Sequence, residues 1–250
     1  TYTQADDCNG LADTDRLATE FPDLDLYHPW LPAVDEARDM AVACEQSALE
    51  HDNRIENSEG ASVSSHEGYE VYATSTGFRG ENRKTRHGIS CSVIGQGQDG
   101  MQRDYWYAVD RVPGRLPSEQ AVGRKAGERT LARINPRTVK TAKVPVLFAA
   151  DQAVGLVGHL FGAISGGAVY RQSTFLLDAL GQPIFPAWMT MRETPYLKQG
   201  MGSAAFDGDG LQTREQAFIE DGQLVSWLLS TYSGRKLGLP STANAGGVHN

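Results

Sequence analysis

The stretch Gly155-Leu156-Val157-Gly158-His159-Leu160-Phe161-Gly162-Ala163-Ile164-Ser165-Gly166-Gly167 decides how the second half of the chain is built. Gly158, Gly162 and Gly166 stand four apart, with Gly155 close to the same line, so on a helix they form one ridge. Each glycine costs a helix about 1 kcal/mol relative to alanine. A helix carrying this many glycines needs a compensating contact, and close approach of another backbone is the simplest one. The spacing therefore predicts a deeply buried helix from about Asp151 to Ser165, with Asp151 as its N-cap. A buried strand over Val144–Ala149 leads into it. The expected role of His159, the histidine on this helix, is that of a hydrogen-bonded core side chain.

Downstream, the texture changes to loops and short strands. Thr213–Glu220 and Gln223–Ser230 flank Asp221-Gly222, a two-residue pair suited to a tight hairpin. A helix over Tyr232–Leu237 should stop at Gly238, with Arg235 and Lys236 in the last turn, where the helix dipole favours cations. Upstream, Asn135–Lys143 reads as a connector. Before it, Pro117-Ser118 opens a helix that runs to about Ile134. Gly127, Thr130, Leu131 and Ile134 face one way on that helix, and Lys125, Arg129 and Arg133 form a basic ridge on the other. Residues 111–143 hold nine basic and two acidic side chains. The ridge is either a solvated face or a dock for an acidic surface such as residues 1–60.

Between Arg54 and Val112 the period is two. Tyr69, Val71 and Ala73 alternate with Glu70, Tyr72 and Thr74, and Ile89, Cys91 and Val93 alternate with Ser90, Ser92 and Ile94. Turns at Gly60, Gly68, Gly77-Phe78, Gly95-Gln96-Gly97 and Asp99-Gly100 would give an antiparallel meander of about five strands. A helix from Val34 precedes it, with Val34, Ala37, Ala41, Cys44, Ala48 and Leu49 as one apolar stripe and Asp52-Asn53 as its end. Residues 1–31 are irregular and acidic. The expected fold class is α+β: an antiparallel β meander with flanking helices, followed by a mixed α/β part containing a buried glycine-rich helix. The two parts meet near residues 135–143, as residues 1–140 and 141–250.

Composition narrows the function. The 250 residues carry a net charge of −8, yet residues 1–60 alone hold 15 acidic and 3 basic side chains. A phosphate backbone needs a net basic face, so direct nucleic-acid binding is not expected. Cys8, Cys44 and Cys91 are too few and too scattered for a disulfide framework and fit a reducing compartment, with Cys44 and Cys91 as small buried apolar groups. The most apolar window, Val144–Val169, is broken by Pro145, Asp151, Gln152 and His159, so no membrane span is expected.

Few motifs carry chemistry. His28, His51, His66, His87 and His249 fall on predicted loops, helix ends and strands without ligand spacing. Asp207-Gly208-Asp209-Gly210 lacks the later ligands of a calcium loop and reads as a turn. Gly95-Gln96-Gly97 is a hairpin turn rather than a phosphate loop, and Ser62–Ser65 reads as strand edge. In Ala245-Gly246-Gly247-Val248-His249-Asn250 the paired glycines could expose backbone N–H groups, which makes Gly246, Gly247, His249 and Asn250 a candidate contact for peptide or a neighbouring subunit. A tight loop needing positive φ explains the glycines equally well.

The segment Gly155–Arg171 resembles the glycine-rich helix of the PmbA branch, also called TldE, of the TldD/PmbA metalloprotease family. Matching runs follow at Ser173-Thr174-Phe175-Leu176-Leu177-Asp178, Glu220-Asp221-Gly222, Ser233-Gly234-Arg235-Lys236-Leu237-Gly238 and Ala245–Asn250. Upstream, Asp23-Leu24-Asp25-Leu26-Tyr27-His28-Pro29, Asn57-Ser58-Glu59-Gly60 and Arg103-Asp104-Tyr105 are similar as well. Active TldD-type members carry His-Glu-x-x-x-His on this helix, and a distant cysteine completes the zinc ligand set. The matching residues here are His159, Leu160 and Ile164 at the first His, the Glu and the second His. Neither leucine nor isoleucine can take a proton or ligate zinc.

The resemblance thus implies a cytoplasmic, non-catalytic subunit with no metal of its own. A TldD-type partner would supply zinc, and the complex would cleave unfolded peptides. Family roles include microcin precursor maturation, antitoxin degradation and an older description as a modulator of DNA gyrase. Family members extend beyond both ends of this sequence, so residues 141–250 are expected to be an incomplete C-terminal domain. Two other readings stand beside this one: an autonomous metallopeptidase with ligands outside the motif, and a gyrase- or nucleic-acid-associated regulator acting through residues 111–143.

Overall fold

Residues 26–69 and 83–144 form one unit of the computed structural model, which describes residues 5–250. Helix α1 spans Val34–Leu49, with Asp35 and Glu36 in its first turn. Strands β1 (Ile55–Ala73), β2 (Arg79–Gly97) and β3 (Gly100–Asp110) follow as a sheet in that order. β2 and β3 pair antiparallel from His87 opposite Asp110 to Gly97 opposite Gly100, leaving Gln98-Asp99 as a two-residue turn. Helix α2 (Glu119–Arg133) closes the unit, its Ser118 side chain accepting from the Ala121 N–H.

The inward face of β2, Ile89, Cys91 and Val93, packs with Cys44, Ala48, Ile55, Val122 and Ala126. Helices α1 and α2 touch through backbone. A Cβ on Gly123 would lie 2.0 Å from the Cys44 carbonyl oxygen, and one on Gly127 would lie 3.2 Å from that of Ala48. Cys44 and Cys91 are both buried, and their mutual hydrogen bond together with burial pushes the Cys44 thiol far up. Such a thiol packs as an apolar group and does not react.

The sheet has three long strands where five were expected. Gly68 and the whole of Gly95-Gln96-Gly97 lie inside strands rather than in turns, and Gly60, at φ +108°, is accommodated within β1 without ending it. The turn at Gly77-Phe78 stands, and the one expected at Asp99-Gly100 falls one residue earlier, at Gln98-Asp99. The outward residues Tyr69 and Val71 of β1 are exposed.

The second unit comprises residues 5–25, 70–82 and 145–250. It includes the far end of the β1–β2 hairpin, where Phe78 sits among Phe21, Tyr72 and Phe206. Helices α3 (Ala150–Ala163) and α4 (Gly166–Tyr170) are followed by strands β4 (Met191–Glu193), β5 (Gln216–Glu220) and β6 (Gln223–Leu224) and helix α5 (Thr231–Leu237). β4, β5 and β6 form a small antiparallel sheet. Asp221 and Gly222, at φ +48° and +79°, make the β5–β6 turn as expected, though β6 is far shorter than Gln223–Ser230. Helix α5 carries a capping box at Ser230 and Ser233 and stops at Gly238, φ +65°. The core of this unit is Leu160, Ile164, Val169, Leu176, Phe218, Ile219, Leu224, Trp227 and Leu229.

The lead-in to α3 departs from expectation. Val144–Ala149 is an exposed coil rather than a buried strand, with Leu147 at 97% exposure, because an apolar run becomes a strand only when a ladder partner takes its backbone groups. Ala149, not Asp151, occupies the N-cap of α3, and Asp151 falls in the first helical turn. The glycine ridge of α3 is exposed rather than buried. Among the described residues nothing comes within 4 Å of a Cβ built on Gly155, Gly158 or Gly162. Gly166, in α4, is closely approached, but by the Ser233 and Leu229 side chains, with Ser233 Oγ 2.3 Å from its Cβ position, and not by another backbone.

Candidate functional site

Helix α3 joins the core through its last turn. Leu160 is 8% exposed and Ile164 0%, and both pack in the cluster built around Phe218, while Phe161 meets Phe218 edge-on at 5.5 Å between ring centres. The two positions that would carry a glutamate and a second histidine are therefore core positions. His159 points to the exposed side of the helix instead of into the core, because one residue of rotation separates it from Leu160. An exposed imidazole beside two buried aliphatic side chains does not fit a zinc ligand set. Among the described residues, no three His, Cys, Asp or Glu side chains gather where they could hold a metal. The role expected of His159, a buried and hydrogen-bonded histidine, is filled by His87, whose Nε2 donates to the His28 carbonyl oxygen at 2.8 Å, and by His249.

The densest polar cluster centres on Glu193, which ends strand β4 and is 2% exposed. Oε1 accepts from Asn244 Nδ2 at 2.8 Å, from the His249 backbone N–H at 2.6 Å and from His249 Nδ1 at 2.9 Å. Oε2 accepts from Gln216 Nε2 at 2.6 Å. A buried carboxylate is tolerated only when its lone pairs are filled, and these four donors fill them. His249, 8% exposed, is thereby locked. Asn250 is held as well: Nδ2 donates to the Thr194 carbonyl at 3.2 Å, and Oδ1 accepts from the Gly202 N–H at 2.8 Å.

Between these anchors Gly246 and Gly247 turn at φ +102° and +122°, with open space at both Cβ positions among the described residues. The glycines serve positive φ, as the tight-loop alternative required. Behind the loop, Asp207 receives the N–H groups of Ala245, Leu211 and Asp209 at 2.9, 2.9 and 3.0 Å. Burial pushes its carboxyl up from the ordinary carboxylate value despite these bonds. The Asp207–Gly210 segment is thus a turn, as expected.

The basic ridge of α2 is solvated at Lys125 and Arg133 and finds its acidic partners within its own unit. Arg133 Nε donates to Asp104 Oδ2 at 2.7 Å, Arg129 lies 3.5 Å from the same oxygen and over the Trp106 ring, and Lys125 pairs with Glu128 at 3.0 Å. Asp104, buried on β3, is the acidic group that Arg129 and Arg133 meet. Among the described residues no helix is long and apolar enough to cross a membrane.

Two of the residues that matter most, Glu193 and Gln216, carry no motif. Their partners Asn244 and His249 lie 28 to 56 residues away along the chain. The Ala245–Asn250 run is the part of this cluster that the sequence pattern marks.

Residues 27–134 match the PmbA/TldA metallopeptidase central domain and residues 141–250 the PmbA/TldA metallopeptidase C-terminal domain. The Metalloprotease PmbA of Escherichia coli O157:H7 is 48% identical over 100% of this chain and 55% of its own length. The Metalloprotease PmbA homolog of Haemophilus influenzae is 44% identical over the same shares. The chain spans about half the length of the curated relatives it matches. A Bacteroides thetaiotaomicron crystal structure, provisionally named a modulator of DNA gyrase, superposes with a TM-score of 0.92 at 27% identity, over 98% of this chain and 56% of the other. The crystal structure of TldE from Thermococcus kodakarensis shares the fold, with a TM-score of 0.70 at 17% identity over 99% of this chain and 57% of the other.

Proposed function

Because the chain belongs to the PmbA/TldD metallopeptidase family, we propose that it is the non-catalytic, PmbA/TldE-type part of a two-component cytoplasmic peptidase. The zinc chemistry belongs in this reading to a TldD-type partner, and the substrates are unfolded peptides. The observation that carries it is the use of Leu160 and Ile164 as core residues at the two positions where a zinc site needs a carboxylate and an imidazole. Restoring the ligands would mean placing a charge and a ring inside a packed apolar cluster. The Gly246–Gly247 turn, clamped from behind by Glu193 and open in front, is the surface this subunit offers to peptide or partner.

The test is to mix the chain with a zinc-bearing TldD-type protein and follow cleavage of an unfolded peptide. Cleavage that appears only in the mixture supports the reading. Equal cleavage by this chain alone overturns it.

A further inference from the structure

A cavity of about 50 Å³ lies among Asp13, Arg16, Leu211, Thr231, Arg235 and Ser241. That volume admits a few waters or one group the size of a carboxylate. Its two guanidinium groups differ in how their charge is met. Arg235 Nη2 donates to Asp13 Oδ1 at 2.8 Å and to the Leu11 carbonyl at 2.9 Å, so a carboxylate answers it. Arg16 Nη2 donates to the Ser241 carbonyl oxygen at 2.7 Å, and among the described residues no carboxylate pairs with it. A carbonyl dipole does not neutralise a half-buried cation.

Thr231, at 7% exposure, adds a second unmet group. Its backbone N–H donates to Asp209 Oδ2 at 2.8 Å, but its hydroxyl is buried and has no hydrogen-bond partner among the described residues. Buried hydroxyls are ordinarily satisfied, and one left unmet on a cavity lining that also carries an unanswered guanidinium calls for a single group that serves both. A water would satisfy the hydroxyl and leave the charge. An oxyanion satisfies both.

We propose that this cavity binds a small oxyanion, held by the Arg16 guanidinium and the Thr231 hydroxyl. The recognised chemistry is a carboxylate or phosphate group, whose oxygens accept charge-assisted bonds from the spare Arg16 N–H groups and one bond from Thr231. The group comes either from a free ion or from the terminal carboxylate of a peptide. This site stands independently of the subunit reading above.

The test titrates the 250-residue chain with inorganic phosphate, acetate, the dipeptide Ala-Ala and its C-terminal amide, reading amide NMR shifts around Arg16 and Thr231. Saturable shifts with the acids and none with the dipeptide amide are expected. Response to phosphate and acetate marks a free-ion site, whereas response confined to the dipeptide acid marks a peptide terminus. Thr231→Val removes only an unpartnered hydroxyl, so it should fold with an unchanged thermal midpoint and bind about tenfold more weakly. Arg16→Gln should abolish saturable binding. Absence of saturable shifts, an equal response to the amide, or wild-type affinity in Thr231→Val overturns the proposal.

Discussion

In α2 a Cβ on Gly123 would sit 2.0 Å from the Cys44 carbonyl oxygen, whereas in α3 a Cβ on Gly155, Gly158 or Gly162 meets nothing within 4 Å among the described residues. Both helices carry glycines about one turn apart, and the spacing alone does not separate them. What separates them is the opposing surface. Helix α1 presents Cys44 and Ala48, small residues also one turn apart, and the two backbones close on each other there. A glycine ridge therefore records an approach only when a matching ridge of small residues exists to meet it.

Substitution at these positions would break or sharpen the contrast. The largest effect is expected at Gly123→Ala, where the clash is with backbone and no rotamer change relieves it. Loss of about 3 kcal/mol or more by urea denaturation is expected, and a neutral result would show that the α1–α2 contact is not a close one. Next comes Leu160→Ala, which empties a core position and should cost about 2 to 3 kcal/mol. Leu156→Ala, one turn earlier on the same face but exposed, should stay within about 0.5 kcal/mol. Equal costs at the two positions would show that burial of this face extends beyond the last turn of α3.

Asp207 gives a smaller, pH-dependent effect. Burial raises its folded-state value above the unfolded one, so its ionisation weakens the fold as pH climbs through that raised value, and the stability is fully present below the ordinary carboxylate range. Asp207→Asn should remove this slope from a pH series of thermal midpoints. It should also cost about 1 to 2 kcal/mol, because its amide cannot accept the Ala245 N–H. A slope that survives the substitution would assign it to another group. The smallest effect, and opposite in sign to Gly123→Ala, is Gly158→Ala, which should gain about 1 kcal/mol through helix propensity alone. A loss there would mean that the α3 ridge does meet another surface.

How much was legible in the sequence follows the range of the interactions involved. The end of helix α5 could be placed because Gly238 acts on its own neighbours, and the β5–β6 turn because Asp221 and Gly222 do the same, whereas the Ser230 cap was hidden at the end of an expected strand. The inward face of β2 was visible as Ile89, Cys91 and Val93. The strand count was not, because Gly60 and Gly68 look like turns but are absorbed by long strands. Val144–Ala149 misled because apolar sequence does not show whether a pairing edge exists. The degenerate motif at His159, Leu160 and Ile164 was legible as chemistry, but the exposure of His159 was not, since it depends on which face of α3 meets Phe218. Glu193 stayed hidden because its donors come from Gln216, Asn244 and His249, each brought to it by the fold.

Metal content tests the central claim most directly. The purified chain and its His159→Ala variant are each exchanged against zinc, dialysed and measured by elemental analysis. The positions of Leu160 and Ile164 in the core predict well under one zinc per chain and no change on substitution. One zinc per chain, lost when His159 is replaced, would contradict the account.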